Sequence, residues 1–178
     1  MKYYHGSKAR LGAMPLGLRI VLALYLVTTI LGFGLSGAKY WFRGDRDGAL
    51  LRADGARAYY AERWDDQDAL LAGDAAGPTR WLVDATHPHL FTVPIVLLVL
   101  GHLVQLSRGP QALKSGLAVL AFASFLACFG LPWLAPTWPG LAPAVPWAGA
   151  TLVLSGIGMS AWVLVELVLG RPGRGSEA

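Results

Sequence analysis

Four long apolar runs, set apart by polar breaks of very unequal length, dominate the order of residues. They cover 16–38, 88–107, 112–131 and 146–169, and charge nearly vanishes inside each. At 1.5 Å of helical rise per residue, about 20 apolar residues match a hydrocarbon layer ~30 Å thick. The pattern predicts an all-α integral membrane protein: one domain over 1–178, built as a four-transmembrane-helix bundle. The long break, 39–87, becomes an extracytoplasmic loop of about 49 residues. Such a loop is too long for a bare connection and is expected to carry its own structure. Helix formers over 57–71, with Tyr60, Trp64 and Leu71 as an apolar pattern, predict a short interfacial helix there, ended by the glycines and proline of 73–78.

The polar breaks also assign sides. Four spans return the chain to the side it left. That side collects Lys2, Lys8, Arg10, Arg19, Arg108, Lys114, Arg171 and Arg174, with Glu177 opposing them in the flanks. The other side holds loop 39–87, where seven basic residues meet nine acidic ones, and the uncharged turn 132–145. Lysine and arginine in short flanking segments stay cytoplasmic, so both termini are expected in the cytoplasm. The setting this implies is the inner (cytoplasmic) membrane of a bacterium, with the loop in the periplasm. Trp41, Trp81, Trp133, Trp138 and Trp147 fall at the outer ends of the spans, as an aromatic belt does. A cleaved signal peptide is the competing reading of the first span, with Ser36-Gly37-Ala38 as its cleavage site. The apolar stretch 20–35 is long for that purpose, and retention is expected.

Composition narrows the function classes. The chain of 178 residues is 54% apolar and 15% charged, against about 25% charged in an ordinary soluble domain. Its net charge of +4 is spent on membrane orientation, so no nucleic-acid partner is implied. The lone Cys128 lies inside the third run and reads as a small hydrophobe. No nucleophile–base pair, phosphate-binding glycine loop or metal-ligand motif is present, which argues against a stand-alone enzyme. The two halves show no internal repeat of the kind that marks symmetric transporters. Gly44-Asp45-Arg46-Asp47-Gly48 lacks the later oxygen ligands of a calcium loop and reads as a solvated turn. Small residues four apart, Gly32/Ser36, Gly34/Ala38 and Gly156/Ser160, together with Gly116, Ala123 and Ala127, predict close helix contacts within the bundle or with another subunit.

The remaining chemistry is histidine. His5 lies in the N-terminal tail, whereas His87, His89 and His102 gather around the second run. Pro88 suits the first turn of a helix, making Thr86 or His87 the cap and setting His89 at the outer interface. His102 follows thirteen positions after His89, about 20 Å deeper. An ionisable side chain inside a span is a functional candidate by default. At 100° per residue, His89 and His102 stand about 140° apart around the axis, and His87 and His102 about 60°. Pro94 is placed to kink the helix and change both angles.

Two histidines separated by about two-thirds of a bilayer on one helix resemble the axial-ligand layout of four-helix membrane b-type cytochrome subunits. The resemblance covers the second span alone. It implies haem b held by His102 and by His87 or His89, with electrons passing to quinone or to an external electron carrier docked on the outer loop. A bis-histidine haem takes one ligand from each of two helices, and no other span contains histidine. The missing ligand is therefore expected from a partner subunit, from a homodimer about a twofold axis, or from Met159 of the fourth span at nearly the depth of His102. Two readings need no haem. In one, Gly101 and His102 form a close helix contact and the imidazole bonds a neighbouring carbonyl, Thr28 or Thr29. In the other, Asp84, His87 and His89 hold a metal ion at the outer surface, where zinc would need further ligands. Glu166 is expected to snorkel or to pair with Arg171, since a proton relay needs more buried polar groups than these spans hold. The sequence thus predicts a membrane subunit of a respiratory or photosynthetic electron-transfer complex. The alternative is a non-catalytic structural or assembly protein that packs against other membrane subunits.

Overall fold

The computed structural model describes residue 11 and residues 14–43, 52–61 and 78–169. Within them every regular element is helical: α1 (Leu16–Arg43), α2 (Ala53–Tyr60), α3 (Pro78–Leu106), α4 (Gln111–Leu134) and α5 (Ala144–Leu169), plus a 3₁₀ turn at Pro139–Leu141. Four stretches are long and apolar enough to cross a membrane: Leu16–Ala38, Leu82–Leu106, Gln111–Leu134 and Pro139–Leu169. Helices satisfy their own backbone N–H and C=O groups, which lipid cannot do for them. The all-α membrane bundle expected from the apolar runs is the observed fold.

Element ends differ from the expectation in an instructive way. The second long helix starts at Pro78 rather than Pro88, so Pro88 and Pro94 both lie inside it. Proline does open this helix, but it is the proline ten positions earlier. His87 is consequently helical and caps nothing. Side-chain donors sit beside the internal prolines: the Thr92 hydroxyl donates to the Pro88 carbonyl at 2.8 Å and His89 Nδ1 to the Ala85 carbonyl at 2.7 Å. In the loop a short helix, α2, spans Ala53–Tyr60, starting before the expected 57–71 and overlapping its first residues. Residues 62–71, the Gly44–Gly48 turn and the basic terminal tails lie outside the described residues. Ala56 and Tyr60 of α2 pack with Ala135, Ala142 and Val145, so α2 is seated on the connection between α4 and α5.

Helix α5 is the centre of the bundle. It packs against α4 and α1 most extensively and against α3 as well, while α3 and α4 also meet. The core combines Leu97, Leu100 and Val104 of α3, Phe125 of α4, Leu26 of α1 and Leu152, Met159 and Val163 of α5. Close approach depends on absent side chains at few places. A Cβ at Gly156 would lie 2.6 Å from the Phe33 ring, and one at Gly37 3.1 Å from Val153. The expected small-residue seams are thus partly displaced. Gly156 and Ser160 are buried as expected, but Gly32, Gly34 and Gly116 meet nothing within 4 Å. On α1 the contact is carried instead by Phe33 and Gly37.

The tight connection between α3 and α4 holds one end of the bundle together. Lys114, only 6% exposed, directs Nζ to the carbonyls of Gln105 and Ser107, each at 3.0 Å. These oxygens close α3, where no further helical N–H is available. The backbone N–H of Arg108 donates to Glu166 Oε2 at 2.7 Å, and the Arg19 guanidinium donates to the Leu167 carbonyl. Glu166 therefore bonds the connection, and its expected pairing with Arg171 lies outside the described residues. Lys114→Met removes both donors and strands two carbonyls away from water. It is expected to destabilise the bundle by about 2 kcal/mol, measured as a lower midpoint in an SDS unfolding titration; an unchanged midpoint would show that water takes over both bonds.

Candidate functional site

Helix α3 divides its residues by environment. Leu97, Leu100 and Val104 are fully buried toward α4 and α5. The opposite side is open, with Phe91 65%, Ile95 62% and Leu98 65% exposed. His87 and His102 are exposed as well. Fifteen positions separate them, which places them within about 60° of one another and about 22 Å apart along the axis. The apolar span runs Leu82–Leu106, so His87 lies just inside one end of it and His102 just inside the other. One helix face thus presents an imidazole near each membrane boundary, with an apolar strip between.

His89 belongs to a different side. Its ring stacks on Phe129 of α4, centroids 5.1 Å apart at 24°. Because the Ala85 carbonyl can only accept, the proton in that contact is on Nδ1. The ring of His87 meets Phe91 edge-on, at 5.6 Å and 75°. Of the two outer candidates, His87 is the one that shares the side of His102.

The intrachain partners expected for His102 are not there. Gly101 does make the close contact, its Cβ position 3.7 Å from Ala118, but that contact turns His102 outward. The Thr28 hydroxyl donates to Leu24 and Tyr25 carbonyls and that of Thr29 to Tyr25, all within α1. Among the described residues His102 has no hydrogen-bond partner. Met159 is 0% exposed, packed in the core by α5. It cannot share an axial site with an imidazole on the outward side of α3, so the His/Met pairing is not formed within one chain. On the side that His87 and His102 share, each level of α3 offers one imidazole, so that side of a single copy does not fit a haem with two axial protein ligands. Among the described residues no group of three His, Cys, Asp or Glu side chains is gathered closely enough to hold a metal ion.

Depth distinguishes His87 and His102 further. Cα–Cβ bonds in a helix tilt toward its N-terminus. His87 is therefore directed toward the nearer end of its span, whereas His102 is directed away from its nearer end and into the apolar layer. Sequence reasoning missed the anchoring role of Lys114, counting it only as a flanking charge. One signal was available: a cation in the first turn of a helix opposes the macrodipole, so its partners had to come from another element.

A model of a transmembrane helical domain family, Aq_1264_TM, matches residues 76–174, the segment holding α3, α4 and α5. No curated protein and no solved structure matches the chain.

Proposed function

The chain belongs to the Aq_1264_TM family of transmembrane helical domains, and from that premise we propose that it is a membrane subunit of an electron-transfer complex whose open α3 face is one half of a shared b-type haem site. Its setting is a bacterial inner membrane, with both termini in the cytoplasm. One observation carries the reading: His87 and His102 lie on the same open side of one span, each close to an opposite end. Neutral imidazole is a good iron ligand, and haem supplies one-electron chemistry when bound. The chain's own part is to hold one imidazole at each level and to wall off water between them with Phe91, Ile95 and Leu98. The second imidazole at each level comes from a neighbouring subunit. Quinone dissolved in the bilayer, or an external carrier on the loop side, is the matching electron partner.

A second reading, a structural or assembly subunit without cofactor, is favoured by the burial of Met159 and by the single imidazole per level on the side that His87 and His102 share. In it the same α3 face docks on a partner helix directly. A reduced-minus-oxidised spectrum of the protein isolated with its membrane partners separates the two. The proposal expects a sharp b-type α-band that is lost in full for the site containing His102 on His102→Ala and unchanged by His89→Ala. A colourless preparation transfers the function to the second reading.

A further inference from the structure

We infer that the subunit completing the α3 face is a second copy of this chain, the two α3 helices facing each other about a twofold axis along the membrane normal. The inference rests on the reading above for the role of the imidazoles, while the pairing of the faces is measurable without it. Three observations lead there. First, copies inserted with the same sidedness can be related only by an axis along the normal, which preserves depth. His87 then meets His87 of the second copy, and His102 meets His102, at equal heights. A dissimilar subunit would have to place histidines independently at both heights.

Second, on the side of α3 that His87 and His102 share, each level holds one imidazole, and a twofold axis adds one at each level. Third, His102 has no hydrogen-bond partner among the described residues and is directed into the apolar layer. Neutral imidazole carries one donor and one acceptor, so two copies can hydrogen-bond to one another directly, and iron between them would instead take a lone pair from each. Between the histidines Phe91, Ile95 and Leu98 are apolar and open, and α1, α4 and α5 pack on other parts of the bundle. The strip can therefore face its own copy without burying an unpaired charge.

The test uses the full chain in lipid bilayers. In a Cys128→Ala background, single thiols are placed by Ile95→Cys and Leu98→Cys on α3. Controls are Leu24→Cys on α1 and Leu126→Cys on α4, both 63–66% exposed in the parent. Each is oxidised directly, or treated with a long bifunctional maleimide. Covalent dimer is expected at the α3 positions with at least one reagent and at background level for the controls. Disulfides form only where Cβ atoms approach within about 4.5 Å, so the direct bond marks helices in contact and the long reagent alone marks helices held apart. His102→Leu is expected to lower the dimer yield about three- to tenfold. Linking at α3 no stronger than at Leu24→Cys and Leu126→Cys overturns the inference. The spectrum of the same sample keeps the two proposals separate: α3-linked dimer without an α-band retains the twofold pairing and sinks the electron-transfer role. An α-band in protein whose α3 thiols do not link does the reverse.

Discussion

Gly109→Ala is expected to lower the stability of the bundle by about 2–5 kcal/mol, combining backbone strain of roughly 1–3 kcal/mol with overpacking of similar size. Gly109 adopts φ = 131°, a conformation essentially restricted to glycine. A Cβ there would also stand 2.7 Å from Cζ2 and 3.3 Å from Cη2 of Trp162. Either the Trp162 indole or the connection must shift to relieve that overlap. Motion of the connection is transmitted at once, because the neighbouring Arg108 N–H holds Glu166 and the carbonyls of Gln105 and Ser107 hold Lys114. The two costs can be separated by Trp162→Ala, which relieves the clash and leaves the dihedral unchanged. In a double-mutant cycle, part of the loss should be recovered and part should persist. The measurement is the SDS unfolding midpoint followed by helical circular dichroism. Gly116→Ala, at a helical glycine with nothing within 4 Å, serves as control and should be neutral or slightly stabilising. If Gly109→Ala unfolds at the same detergent fraction as the parent, the connection is not the rigid clamp described here.

Hydropathy identified the membrane crossings well because lipid imposes a length and an apolar composition on any span. It marked helix ends poorly for the same reason. Arg80, Asp84 and His87 look like loop residues, yet α3 runs through them, starting at Pro78 just before its apolar span begins at Leu82. Facing was harder still. In water an amphipathic stripe shows which side of a helix is buried, but a span is apolar on every side. So Gly32 and Gly34, which read as packing residues, are open, while Phe33 between them is packed against α5. Gly156 and Ser160 were legible because they are small residues on the central helix, where almost any direction meets a neighbour.

The histidines follow the same logic. Their separation along α3 and the closer angular match of His87 to His102 needed only helical geometry, and both were readable. That His102 faces outward and Met159 inward depends on which helices neighbour α3 and α5, a tertiary fact without a local signature. The partner of Glu166 was out of reach as well, since it is a backbone N–H far away in the chain. The sequence offered the pair of imidazoles as a candidate. What the fold adds is that His87 and His102 are both exposed on α3 while Met159 is enclosed in the core.

Gly156→Leu is expected to cost roughly 3 kcal/mol or more, at the upper end of overpacking effects, and to weaken the docking of α1. Three atoms of the Phe33 ring lie 2.6–2.8 Å from where a Cβ would be, so even alanine cannot be accommodated unless the ring shifts. Helix α1 is attached to the bundle chiefly through α5, and Phe33 is central to that contact. Among the described residues no second large interface holds α1 while the first one adjusts. Gly158→Leu provides the contrast within the same turn: nothing lies within 4 Å of that glycine, and its larger side chain would simply enter the surrounding apolar layer, with an effect within about 0.5 kcal/mol. Adding Phe33→Ala to Gly156→Leu empties the space the leucine needs and should restore a large part of the loss, although Phe33→Ala alone is destabilising. That sign reversal is the diagnostic result, because a general intolerance of leucine in α5 would give additive losses. Equal midpoints for Gly156→Leu and Gly158→Leu would mean that α1 does not rest on α5 through Phe33 in the membrane.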